Sequence, residues 1–183
     1  MKFVKKSMEE LDRQTLSDLK NLTKFPFAIV LDNIRSMNNV GSAFRTADAL
    51  NCREIILVGI TAQPPHREIA KTALGAEESV KWTYFKTIQE AINYLKNQSY
   101  FLIAIEQTHH STQLENFEVE DQQSYAFIFG NEVYGVEEAF LSSVDQVIEI
   151  PQFGMKHSIN VSVTMGIISW EFVSQKLKGY PFK

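Results

Sequence analysis

Three polar stretches, each following an apolar run, carry the side chains best suited to chemistry. The first runs from Asn33 to Asp48 and enters a helical pattern. There Asn39 can cap the helix, and Arg45 follows six residues later, under two turns on. Gly41 leaves room near the helix N-terminus, where free backbone N–H groups favour anions; a phosphate site and a plain capped helix bearing a surface arginine both fit. The second, Gly130-Asn131-Glu132-Val133-Tyr134-Gly135, places a carboxylate at the tip of a turn flanked by glycines, which permit positive φ and close backbone approach. Glu132 can orient a ligand amide or an arginine, or it can be an exposed turn glutamate. The third, Ile150 to Val163, puts proline and glycine in a loop and then Ser158 at an expected N-cap, with Asn160 in the first turn. Serine and asparagine entering an otherwise apolar helix are costly if buried unpaired, so they should bond to loops or to a ligand.

The elements that must position these loops are legible as periodicity. Phe27–Leu31, Ile55–Val58, Val80–Phe85, Phe101–Ile105, Ala126–Phe129 and Val147–Ile150 read as strands. Gly41–Leu50, Arg67–Leu74, Ile88–Lys96, Val136–Leu141 and a long closing stretch Ser158–Gln175 read as helices, the last apolar nearly all round. Alternation of this kind predicts an α/β fold: one mostly parallel sheet of six strands with helices on both faces. Ligands then bind beyond the carboxyl ends of strands, where all three loops fall. Ser7–Leu22 has helical spacing of its own, so the chain divides into a helical extension over 1–24 and a single domain over 25–183.

Composition sets the outer bounds. A hydrophobic share of 44%, 22% charged residues and 13 phenylalanines describe a globular protein with a real core. The first residues lack the apolar run of a signal peptide, and no stretch of about 18 apolar residues occurs, so a cytoplasmic protein without a membrane span is expected. The single cysteine, Cys52, excludes an internal disulfide framework and reads as a buried, inert thiol. Adjacent His109 and His110 do not converge on one metal as i, i+4 histidines can, so no metal site is expected. His157 borders the third loop, within reach of a nucleic acid. A formal net charge of −4 does not advertise a nucleic-acid binder, but charge is uneven. Residues 1–24 hold six Lys/Arg against four Asp/Glu, 173–183 hold three lysines and no acid, and acid gathers over 115–121.

In order and spacing, the three loops resemble the signature motifs of the SpoU/TrmH family of RNA ribose 2′-O-methyltransferases, a branch of the knotted SPOUT superfamily. The resemblance covers Phe27 to Phe172 and includes the Asn39-to-Arg45 spacing, the glutamate loop at Gly130-Asn131-Glu132 and the Ser158-to-Val163 run. Ser36-Met37 stands where Asp-Pro is common, Gln152 replaces Met, Ile159 replaces Leu and Thr164 replaces Ala. The resemblance implies a deep trefoil knot at the carboxyl-terminal end and a homodimer built across it. It implies S-adenosylmethionine as cofactor, held largely through backbone at Gly130, Asn131, Ile150 and Ile159, with Thr108 in the loop after Phe101–Ile105 nearby. It implies tRNA or rRNA as substrate. It also implies that Arg45 acts on the ribose hydroxyl while Asn39, Glu132, Ser158 and Asn160 shape the site. A guanidinium with a pKa above about 12 is a poor base, so Arg45 is read as stabilising the developing oxyanion, with a substrate phosphate or water taking the proton. Two other readings compete: a knotted RNA-binding or assembly module that has lost transfer, and an unrelated nucleotide-binding enzyme. The latter calls for a glycine-rich phosphate loop that the sequence lacks. Trp82 and Trp170 are expected in the core or at the dimer interface.

Overall fold

The computed structural model describes residues 3–7 and 23–178. Most of the expected N-terminal helix, 8–22, lies outside the described residues, as do the last five positions. Among the described residues, seven strands form one wholly parallel sheet: β1 (Phe25–Asp32), β2 (Cys52–Val58), β3 (Trp82–Phe85), β4 (Tyr100–Ile105), β5 (Thr112–Gln113), β6 (Ser124–Phe129) and β7 (Gln146–Glu149). Their spatial order is β3-β2-β1-β6-β4-β7-β5. Six are the expected strands. The seventh, β5, has two residues and pairs only with β7, too short to leave a period in the sequence.

Strand β1, Phe-Pro-Phe-Ala-Ile-Val-Leu-Asp, is central because it is apolar on both faces; its last six residues are fully buried between β2 and β6. Such uninterrupted runs mark parallel strands covered above and below. On one face, Phe27, Ile29 and Phe127 meet α1 (Met37–Ala49), α2 (Arg67–Ala73), α3 (Ala76–Ser79) and the closing helix. On the other, Val30, Ile56 and Ile128 meet α4 (Ile88–Asn97) and α5 (Glu138–Leu141). The closing helix, α6 (Val161–Leu177), buries Met165, Ile168 and Phe172, and the Phe172 ring lies 5.0 Å from that of Phe27.

Helix α1 begins four residues earlier than expected because Ser36, not Asn39, is its N-cap: the Ser36 hydroxyl accepts the N–H of Asn39. Gly41 faces α2, where a Cβ would lie 2.1 Å from Thr72 Oγ1 and 2.3 Å from the Ile69 carbonyl; it permits helix contact rather than making space for an anion. Helix α4 opens with a full capping box, Thr87 and Glu90. Cys52 is buried, and burial pushes its thiol up to about 12, which fits the inert thiol expected. Lys176, one of the lysines of the basic tail, donates to the carbonyls of Glu120 and Asp121, so it pins the acidic segment instead of standing free for RNA. Trp82 packs against the core, whereas Trp170 is 55% exposed. Among the described residues, no helix is long and apolar enough to cross a membrane.

The chain passes from β1 outward to β2 and β3, then crosses back over β1 to β4, leaving a gap that β6 later fills. Connections therefore diverge on either side of β1 and β6. That reversal is where an open parallel sheet leaves a crevice at its carboxyl edge.

Candidate active site

The loops after β1 and β6 are neighbours because their strands are, and hydrogen bonds between them are dense. Asn33, with φ 54°, turns the chain at the end of β1; its Oδ1 accepts the N–H of Ile60 and its carbonyl accepts from the Asn131 side chain at 2.7 Å. Asn131 Oδ1 accepts the N–H groups of Val133 and Tyr134, closing the turn from within. Asn131 and Gly135 also exchange backbone hydrogen bonds at 2.9 Å, and Gly135 has φ 70°. A Cβ at Gly130 would lie 2.1 Å from the carbonyl carbon of Gly135, so only glycine allows this closure.

Glu132 projects from that turn to the N-terminus of α1. Its carboxylate accepts the N–H groups of Arg35 and Ser36, each at 3.0 Å, and the side-chain amide of Asn39 at 2.9 Å. Partial burial alone would raise its pKa, but these three donors outweigh it and hold the carboxyl below its ordinary value. Asn39, almost wholly buried, reaches the third loop as well: its Oδ1 accepts from Asn160 Nδ2 at 3.5 Å. One side chain thus joins all three loops. Asn160, not Ser158, is the N-cap of α6, its Oδ1 accepting the Ser162 N–H at 2.9 Å. Ser158 lies before the helix, exposed.

These loops border a cavity of about 460 Å³ beyond β4, β6 and β7. Gly130, Asn131 and Glu132 line it from one loop; Ile150, Ser158, Ile159 and Asn160 line it from another. Thr108 is not among the lining residues; its carbonyl closes a local turn with Ser111, and Glu106 and Gln107 occupy the place expected for it. Arg45 also lies off the cavity. It is exposed on α1 and forms no ion pair or hydrogen bond with the described residues.

Two carboxylates that the sequence reading gave no role fasten the second loop from behind. Asp32 accepts the Glu137 N–H at 2.8 Å, and Glu106 accepts the Val136 N–H at 3.1 Å. Burial raises Asp32 to about 6, against the pull of its hydrogen bond from Glu137. Both residues sit at the carboxyl end of an apolar strand, and a lone carboxylate in that place is the signal that identifies them. Gln107 anchors the third loop through the His157 carbonyl at 2.9 Å.

The cavity's size lies within the usual range for small-molecule sites. Its walls pair apolar groups, Phe129, Ile150 and Ile159, with main-chain groups at Ser158 and Ile159 that have no partner among the described residues. Glu106 and Glu132 add negative charge. Free backbone donors and acceptors beside Phe129, Ile150 and Ile159 suit a purine, and carboxylates suit a cationic sulfonium. The residues present therefore fit S-adenosylmethionine. Among the described residues, no group of three His, Cys, Asp or Glu is placed to hold a metal ion.

A parallel sheet that reverses its order at the centre, with a largely polar and acidic cavity at the reversal, defines an α/β ligand-binding domain. The same fold occurs in the SpoU methyltransferase AviRb from Streptomyces viridochromogenes in complex with AdoMet, with a TM-score of 0.78 at 22% identity over 87% of this chain and 64% of that one. The chain belongs to the SpoU rRNA methylase family, whose profile matches residues 26–170. It is 29% identical to the 23S rRNA (guanosine-2′-O-)-methyltransferase RlmB of Neisseria meningitidis serogroup B over 87% of this chain, and spans only 62% of that protein's length. It is equally 29% identical to the tRNA (guanosine(18)-2′-O)-methyltransferase of Thermus thermophilus, over 92% of this chain and 85% of that one.

Proposed function

We infer that this protein transfers a methyl group from S-adenosylmethionine to a ribose 2′-hydroxyl of RNA, in tRNA or rRNA. The observation that carries this reading is Asn39, which ties the Glu132 and Asn160 loops together at the edge of a cavity fit for the cofactor. Backbone at Gly130, Ile150 and Ile159, with the Asn131 turn behind, would hold the cofactor, which when bound supplies an electrophilic methyl group on a sulfonium.

The protein's own residues then have distinct tasks. Glu132, held by three donors and lowered in pKa, is a poor proton acceptor; it fixes the N-terminus of α1 against the second loop. Arg45 projects from α1 with no hydrogen bond or ion pair among the described residues, so no described carboxylate competes for its guanidinium. It is free to stabilise an alkoxide developing on the ribose, while a substrate phosphate or water takes the proton. Ser158 has no partner among the described residues and is exposed at the cavity, available to the substrate.

The family's knotted threading and a homodimer belong to the same reading, as does a cytoplasmic location beside its RNA substrates. The dimer is supported by α6, whose outward face exposes Val163 (51%) and Trp170 (55%), with Gly166 between them opening onto empty space. Incubation with methyl-labelled cofactor and total cellular RNA, followed by mapping of the labelled nucleotide, tests the function. Label in a base instead of a ribose, or cofactor binding without transfer, would overturn it.

A further inference from the structure

The third loop leaves its strand in a run that touches almost nothing. Gln152 and His157 both line the cavity, and between them Phe153 is 97% exposed and Met155 95% exposed. Among the described residues, the stretch 151–158 is hydrogen-bonded only at the His157 carbonyl, which accepts from Gln107. The loop after β6 repeats the arrangement. Val133 and Gly135 line the cavity, and Tyr134 between them is 81% exposed. Singly exposed apolar side chains are ordinary, but here three large ones from two loops bracket one opening.

Their neighbours identify the partner. The run Phe153-Gly154-Met155-Lys156-His157 adds an ammonium and an imidazole and contains no carboxylate. In a chain of net charge −4, it is a local point of attraction for phosphate. Aromatic faces interleaved with cationic groups are the chemistry that holds unpaired nucleotides: bases stack on the rings and the backbone meets the charge. Contact with a second protein copy predicts a different pattern, because lysine is depleted in the cores of such interfaces.

We propose that Phe153, aided by Tyr134, stacks on an unpaired base flanking the ribose that presents its hydroxyl to the cavity, while Lys156 meets the adjoining phosphate. This rests on the RNA-methylation reading above. It adds that the target must be displayed in a single-stranded segment, since a base inside a duplex offers no free face.

The full chain is titrated with fluorescein-labelled oligoadenylate of about ten nucleotides, within the usual site size for single strands, and with the same strand paired to oligouridylate. The wild-type protein binds the unpaired strand more tightly. Phe153→Ala and Phe153→Leu lose about tenfold in that affinity, because leucine keeps the apolar bulk and lacks the π-face, whereas Phe153→Tyr retains it. Cofactor affinity by calorimetry and mass by light scattering stay unchanged, and in transfer assays the RNA KM rises with kcat preserved. Equal binding by Phe153→Leu and wild type would overturn the proposal while leaving methyl transfer intact. So would a fall in mass for Phe153→Ala, which assigns the loop to an interface between copies, or weaker cofactor binding alone, which assigns it to the cavity. A wild-type protein that binds neither RNA nor cofactor would remove the functional reading as well.

Discussion

The side-chain amide of Asn39 donates to Oε1 of Glu132 at 2.9 Å, joining residues 93 positions apart. The same oxygen accepts the Ser36 N–H and its twin accepts that of Arg35, so the carboxylate is fully engaged with the protein. Glu132→Ala should therefore lower transfer by about 10²-fold through misplacement of the two loops rather than through loss of a base. The Glu132 carboxyl lies below its ordinary value, so its contribution to stability is present above the usual glutamate range and lost as pH falls through the lowered value. Acid titration of unfolding should show that loss in the wild type and not in Glu132→Gln. Identical acid profiles would mean that the strap does not hold in solution.

Asp32 has the opposite sign. Burial raises it from 3.8 to about 6, so its favourable contribution is complete below 3.8 and is lost as pH rises through about 6. The swing amounts to about 3 kcal/mol at most, at 1.36 kcal/mol per pKa unit. Urea unfolding between pH 4 and 7 should show this decline in the wild type and a flatter profile in Asp32→Asn. Parallel profiles for the two proteins would remove Asp32 as the titrating group.

Arg45→Ala should abolish most transfer, by about 10²–10³-fold, with fold and cofactor affinity unchanged, since the side chain is exposed and bonded to no described residue. Arg45→Lys should rescue poorly, because an ammonium lacks the planar fork that can hold phosphate and hydroxyl together. Near wild-type rates for the lysine variant would show that a point charge suffices. An active alanine variant would remove Arg45 from the chemistry.

Trp170 gives a test of the homodimer. Replacing a half-exposed indole on α6 with glutamate places a charge in any interface built on that face, so Trp170→Glu should yield monomers by light scattering at micromolar concentration. A dimer that survives this change together with Val163→Glu would have to be built on another face.

The periodicity of the chain determined six of the seven strands and the parallel α/β architecture, because strands buried on both faces must be apolar throughout, and β1 and β6 are. It also brought out the three loops, since asparagine, glutamate and serine beside apolar runs have no core role to fill. Local sequence did not determine the caps: Ser36 and Asn160 cap where Asn39 and Ser158 were expected, because capping depends on which side chain meets which N–H. Nor could it place Thr108 off the cavity and Glu106 on it, a matter of where β4 ends relative to β7. The carboxylate network of Asp32, Glu106 and Glu132 was decided by tertiary structure alone. Each of the three accepts N–H groups from a segment at least 30 residues away, and only the strand order that sets β6 between β1 and β4 brings those donors within reach.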